Sequence, residues 1–154
     1  MAATPQPGAD APAFNLTDQR GDQIRLASLK GRDVLVYFYP KADTPGCTTQ
    51  ACGLRDIADQ IADTVVLGIS PDPVDKLVKF DEKYSLGFPL LSDPDHVVAE
   101  KYGVWGDKSM YGRTYQGVIR SAFLIDQAGK ISQAWPKISP KDTPTKLLAA
   151  LAAH

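Results

Sequence analysis

Cysteine is scarce in this chain: two residues in 154, at positions 47 and 52, with only two histidines and two methionines elsewhere. So few thiols exclude the multiply bridged scaffold of a small secreted domain. A four-ligand metal site is poorly supplied as well, because only His96 and His154 could join the two cysteines, and neither has ligand spacing to them. No metal or other cofactor is expected. A dominant charge sign is also missing: 17 basic residues face 18 acidic ones, the net charge is -1, and like charges do not cluster. Nothing in this balance calls for nucleic acid or an anionic membrane as partner. Apolar runs such as "VLVYFY" stop far short of the ~20 residues that span a bilayer. The start, "MAATPQPGADAPAF", lacks the basic-then-apolar order of a signal peptide. The expectation is a soluble, cytoplasmic protein of one domain over residues 1–154, with a loose Ala/Pro/Gly-rich arm at 1–12. In the cytoplasm disulfides are mostly transient and chemical.

What is present is a regular alternation of strand and helix patterns. "FNLTDQRGDQIRL" (14–26) places two short apolar-polar segments around a turn and predicts a hairpin. "VLVYFYP" (34–40) is continuously apolar, as suits a strand covered on both faces. From Cys47 to about Asp63 a helix is expected, with Leu54, Ile57, Ala58 and Ile61 forming its core-facing stripe. "TVVLGIS" (64–70) predicts a second buried strand, followed by a helix from about Pro73 with Asp72 as its N-cap. "FPLLSD" predicts a short strand, and "PDHVVAEKYGV" a short helix with Asp93 as cap. "RSAFLIDQAGKISQAW" (120–135) predicts a hairpin, and "TPTKLLAALAAH" a closing helix. "WGDKSMYGRTYQG" (105–117) reads as a loop with much apolar surface. The order β-β-β-α-β-α-β-α-β-β-α indicates an α/β fold with a mixed central sheet, flanking helices and an N-terminal hairpin. It is compatible with a thioredoxin-like architecture.

Both thiols stand in "YPKADTPGCTTQAC" (39–52), directly after the buried strand. At 100° per residue, Cys47 lies about 20° from the direction of Leu54, in the first turn of its helix. A thiol there faces unpaired N–H groups and the positive end of the helix dipole, the setting in which cysteine becomes reactive. A small buried hydrophobe would occupy the same position. Cys52 lies about 160° from Leu54, so it is expected near solvent, as a partner thiol or an idle surface residue. Within an unbroken helix the two Cα atoms stand about 8 to 9 Å apart, and a disulfide tolerates little beyond about 7 Å. The thiols can bond only if this turn unwinds. The spacing is also not the Cys-x-x-Cys of typical disulfide reductases.

"YFYPKADTPGCTTQACGLRD" resembles the active-site segment of the peroxiredoxins, in particular the PrxQ or bacterioferritin comigratory protein branch. The resemblance continues through "FPLLSD", "EKYGVWG" and "MYGRTYQGVIRSAFLID" to the closing helix. The family pattern Pro-x-x-x-Thr-x-x-Cys falls on Pro40, Thr44 and Cys47, and its arginine on Arg120 in "GVIRSAF". Two positions depart from many relatives: Gln50 replaces Glu, and Ala122 replaces Thr.

This resemblance implies a thioredoxin-fold thiol peroxidase acting on hydrogen peroxide and small organic hydroperoxides. Cys47 would be the peroxidatic cysteine, oxidised to a sulfenic acid, and Cys52 the resolving one, closing an intramolecular disulfide. Arg120 would stabilise the thiolate and the leaving oxygen. Thr44 would orient the peroxide, and Pro40 would shield the thiolate from water. A thioredoxin- or glutaredoxin-type reductant is implied, and a monomer. Two other functions remain open on sequence: a thioredoxin-like disulfide oxidoreductase, and a non-catalytic redox sensor or chaperone.

Overall fold

The computed structural model describes residues 4–153. Nine strands and four helices follow in chain order: β1 (Asn15–Asp18), β2 (Gln23–Arg25), β3 (Val34–Phe38), α1 (Pro45–Asp56), β4 (Val65–Ser70), α2 (Val74–Tyr84), β5 (Leu90–Ser92), α3 (Val97–Lys101), β6 (Trp105–Met110), β7 (Arg113–Val118), β8 (Ser121–Ile125), β9 (Ile131–Trp135) and α4 (Asp142–Ala152). Seven of the strands form one sheet in the order β2-β1-β5-β4-β3-β8-β9. β3 pairs in parallel with β4, and β4 with β5; the remaining neighbours are antiparallel. The expected mixed sheet is therefore observed, with β3 near its middle and buried along its whole length.

Alternation along β3 divides the core in two, because successive side chains leave a strand on opposite faces. Leu35, Tyr37 and Tyr39 turn toward α1, α2 and α4, where they meet Cys47, Ala51, Leu54, Leu77, Phe80 and Leu147. Val34, Val36 and Phe38 face Val98 and Ala99 of α3, Tyr102 just beyond its end, and Phe123 of β8. The β4 residue under Tyr37 is Gly68, and a Cβ there would stand 2.8 Å from the Tyr37 hydroxyl oxygen. That glycine is thus required by a close approach, not by a turn.

Several expectations are corrected. The helix carrying the cysteines starts two residues earlier, at Pro45, and ends at Asp56; a short 3-10 turn, Ala58–Gln60, follows. Ile57 and Ile61 are still buried, but Ala58 is exposed, since the 3-10 turn rotates it off the stripe. Asp72 does not cap α2, whose N-cap is Pro73. Asp93 does hold the start of α3 from one turn upstream, accepting from the Val98 and Ala99 N–H groups at 3.3 and 3.0 Å. The segment 105–117 is not a loop: β6 and β7 form a separate two-stranded hairpin. Its turn residues Tyr111 and Gly112 have φ of 53° and 77°, the left-handed pair of a type I′ turn. Neither strand shows clean alternation because the ribbon is covered only at its base, where Gly106 is buried and Trp105 and Val118 meet the core, so the period-2 signal is absent.

The N-terminal arm is also not loose where it is described. Gly8 N–H donates to the Ile131 carbonyl and Ile131 N–H to the Ala9 carbonyl, both at 2.8 Å, and Asp10 bridges to Lys130. β9 is an edge strand, and the arm satisfies the backbone groups that such an edge leaves open. No helix among the described residues is long and apolar enough to cross a membrane.

Candidate active site

The C-terminal ends of the parallel strands β3, β4 and β5 come out on one edge of the sheet, and β8, running antiparallel, begins there. Registration of Phe38 with Ser121 places Arg120 beyond the end of the ladder, level with Tyr39. The chain after β3 then crosses this edge through Pro40 and Thr44 into α1. Thr44 is the N-cap, Pro45 the first helical residue, and Cys47 lies in the first turn, 1% exposed. Proline suits this start because its missing N–H would have no intrahelical acceptor. The first ladder bond runs from Thr48 N–H to the Thr44 carbonyl at 2.8 Å, so Gly46 and Cys47 precede the ladder.

Arg120 spans the gap between the sheet edge and α1. Its Nη2 donates to Cys47 Sγ at 3.3 Å and its Nη1 to Gln50 Oε1 at 2.8 Å. The planar fork makes both contacts at once, which a lysine ammonium could not reproduce. Gly46 leaves room for it: a Cβ there would be 3.2 Å from Arg120 Nη2 and 3.4 Å from Pro140 Cγ. The buried Gln50 also donates through Nε2 to Thr143 Oγ1 at 2.9 Å, on α4. The substitution of Gln for Glu thus does not empty the position; it sets a neutral amide between the guanidinium and a hydroxyl.

Thr44 does not touch the thiol by a hydrogen bond. Its Oγ1 donates to the Lys41 carbonyl at 2.7 Å. With the proton committed there, the oxygen keeps its lone pairs and is left to accept. Pro40 is half-buried at the start of the same loop. Cys52 is half-buried too, packed against the core cluster that holds Cys47, Ala51 and Leu54 rather than out in solvent as expected. Both thiols are free and sit in one continuous helix. The structure therefore brings Cys47 and Arg120 together directly, and holds Cys52 away from Cys47.

Three supports escaped the sequence. Asp72, buried, accepts from Ala42 N–H at 2.7 Å and from Ser70 Oγ at 2.9 Å, so it pins the loop between Pro40 and Thr44. Asp43, in the left-handed region at φ 60°, accepts from Lys83 Nζ at 3.0 Å and from the Tyr84 hydroxyl at 2.9 Å, tying the same loop to α2. Lys108 of β6 donates to the Val118 carbonyl at 2.9 Å. Partial burial and the nearby Arg120 cation hold its ammonium below its ordinary pKa, while the Cys47 side acts in the opposite direction. A polar residue two strands earlier than Arg120 carries no motif, so only the hairpin reveals Lys108. A separate cleft of about 240 Å³ opens at the far end of β3, among Leu26, Leu29, Val34 and Ile125, and touches none of these residues. Among the described residues no three metal-binding side chains converge; His154 lies outside them.

An arginine held on a buried thiol at a helix start, beneath a Pro-x-x-x-Thr-x-x-Cys loop, decides the comparison with known proteins. The model of the AhpC/TSA family matches residues 7–134. The chain is a peroxiredoxin of that family, of the bacterioferritin comigratory (PrxQ) branch. Its relatives include Peroxiredoxin Bcp of Escherichia coli K12, 56% identical over 130 residues and 83% of each chain. Among solved structures, the bacterioferritin comigratory protein of Xanthomonas campestris superposes with a TM-score of 0.89 at 34% identity, covering 100% of this chain and 98% of that one. Peroxidoxin BcpB of Mycobacterium tuberculosis gives 0.85 at 37% identity, with 97% of each chain covered. The peroxiredoxin's sheet and flanking helices are thus the thioredoxin-like fold.

Proposed function

We propose that this peroxiredoxin reduces hydrogen peroxide and small organic hydroperoxides with Cys47 as the attacking thiol and Cys52 as the resolving one. The observation that carries the assignment is the Arg120 Nη2 contact with Cys47 Sγ at 3.3 Å, at the start of a helix. The Xanthomonas campestris relative is described by its alkyl peroxide reduction activity, and a peroxide is the substrate class carried over to this chain.

The thiolate of Cys47 attacks the distal oxygen of the peroxide. An S–O bond forms as the O–O bond breaks, leaving Cys47 as sulfenic acid, and the departing alkoxide or hydroxide takes a proton to become alcohol or water. Arg120 faces the negative charge that passes from sulfur to the leaving oxygen, and being fixed beforehand it needs no reorganisation. Thr44 Oγ1, its own proton donated to Lys41, accepts from the peroxide O–H and so orients it. Pro40 keeps bulk water off that side of the sulfur. Cys52 then attacks the Cys47 sulfur; an S–S bond forms, and the sulfenic oxygen leaves as water with the Cys52 proton. A thioredoxin- or glutaredoxin-type dithiol reduces this disulfide by exchange and is itself oxidised. With both thiols in one chain the cycle needs no second subunit, and the protein acts as a cytoplasmic monomer, one domain over residues 1–154.

The test is intact mass under non-reducing conditions, before and after one equivalent of hydrogen peroxide, for wild type and Cys52→Ser. Loss of two hydrogens in wild type, with gain of oxygen in the variant, is expected. A wild-type sulfenic acid that persists would remove Cys52 from its role, and an unreactive Cys47 would remove the mechanism.

A further inference from the structure

We infer that Thr143, on α4, is a positioning residue that latches the first turns of α1 in their helical state through Gln50, and thereby sets how fast Cys52 can reach Cys47. This rests on the roles given to the two cysteines above.

Both side chains are fully buried, 93 residues apart, and joined by one bond from Gln50 Nε2 to Thr143 Oγ1 at 2.9 Å. The bonds around it form a directed chain. Thr143 Oγ1 donates its single proton to the Ser139 carbonyl at 3.0 Å. Toward Gln50 it can therefore only accept. That fixes the amide with its NH2 toward α4 and its Oε1 toward Arg120, which donates to it at 2.8 Å. Reversing the amide would set NH2 against guanidinium and leave two donors opposed. The hydroxyl on α4 thus orients the group that orients Arg120 on the thiol.

Gln50 also stands between Cys47 and Cys52 on α1. In the helix the two Cα atoms are about 8 to 9 Å apart, so closing the disulfide must unwind the residues between them. That motion carries Gln50 out of its slot and breaks both of its bonds. A buried hydroxyl and a guanidinium nitrogen lose partners at that moment, a penalty that favours the closed helix. The contact of Gly53 against Pro144 lies one turn further on and belongs to the same α1–α4 seam.

The latch matters because the Cys47 sulfenic acid has two fates. Attack by Cys52 forms the disulfide and releases water. Attack on a second peroxide adds another oxygen to the sulfur, giving sulfinic acid, while that peroxide becomes alcohol or water. A slower opening of α1 shifts the division toward sulfinic acid.

The experiment follows oxidised mass species in quenched samples across a peroxide series, for wild type, Thr143→Val and Thr143→Ser. Valine keeps the shape and removes the hydroxyl. The ratio of disulfide formation to sulfinic acid formation is expected to rise by about five- to tenfold in Thr143→Val. Thr143→Ser should return it to within about twofold of wild type, whereas a packing defect would affect serine at least as strongly as valine. Amide exchange at residues 47–53 of the reduced protein should quicken in Thr143→Val alone. An unchanged ratio, or equal changes in both variants, overturns the latch. If Thr143→Val does not fold, Gln50→Met removes the same bond from the other side, and an unchanged ratio there overturns it equally. Wild type reports on the parent assignment: should it form no disulfide, the assignment of Cys52 fails and the latch with it. A wild type that closes normally while the variants match it fails the latch alone.

Discussion

Arg120 and Cys47 meet at 3.3 Å, yet the two sides of that contact are built differently. Arg120 is anchored at the start of β8, which is paired along its whole length with β3 on one side and from Ala122 onward with β9 on the other. Every residue of β8 is buried. Cys47 lies in the first turn of a twelve-residue helix that has no side-chain cap and whose grip on α4 includes a single buried side-chain hydrogen bond and the Gly53–Pro144 seam. In the proposed cycle, one half of the site stays in place and the other leaves it. A stationary cation and a detachable thiol are what the proposed cycle requires, because in it the same sulfur meets peroxide and then a second thiol on its own helix.

The largest effect should come from the fixed side. Arg120→Lys loses the fork that serves Cys47 and Gln50 together, and the second-order rate with hydrogen peroxide is expected to fall on the order of 10²-fold in stopped-flow oxidation. A loss under threefold would show that the cation, rather than its geometry, is what matters. Hydrogen exchange by mass spectrometry draws the same contrast directly. Amides at 47–53 should be protected in the reduced protein and exposed in the disulfide form, while those of β3 and β8 stay protected in both. Equal protection of 47–53 in the two states would contradict unwinding.

Asp72→Ala leaves the Ala42 N–H and the Ser70 hydroxyl without their acceptor, with an expected loss of about 1 to 3 kcal/mol in chemical denaturation. It should also slow peroxide reduction, since the loop carrying Thr44 loosens; loss of stability without loss of rate would separate the loop from the chemistry. Gly53→Ala sets a Cβ 2.8 Å from Pro144 Cγ. Overpacking of this kind should outweigh the gain in helix propensity by about 1 kcal/mol, with faster exchange confined to α1. The smallest effect belongs to Lys108→Met, about two- to fivefold in the oxidation rate, because that cation is partly solvated and acts at longer range than Arg120.

Pro40, Thr44, Cys47 and Cys52 were legible because they lie within thirteen residues of one another and their spacing is set by a single loop and helix. Arg120 was legible only through the family resemblance; by itself it is one arginine among many charged residues. The hairpin at 105–118 was hidden because a ribbon covered only at its base lacks the apolar alternation by which strands are recognised. Asp72 was misassigned because Asp before Pro-x-x is a common helix start, and only the fold shows its carboxylate turned back to Ala42 and Ser70. The positions of the main-sheet strands and helices along the chain, and the bonding distance forbidden to the two thiols in a helix, follow from local periodicity, which the chain carries along its length. Contacts between residues 47 and 120, 50 and 143, and 42 and 72 do not, because each depends on sheet register and on how helices seat across it. A register shift of one residue in β8 would turn Arg120 to the other face while leaving every local pattern as it is. The sequence by itself determined where the two thiols stand; packing decided what holds Cys47, because Arg120 reaches it only across the fold.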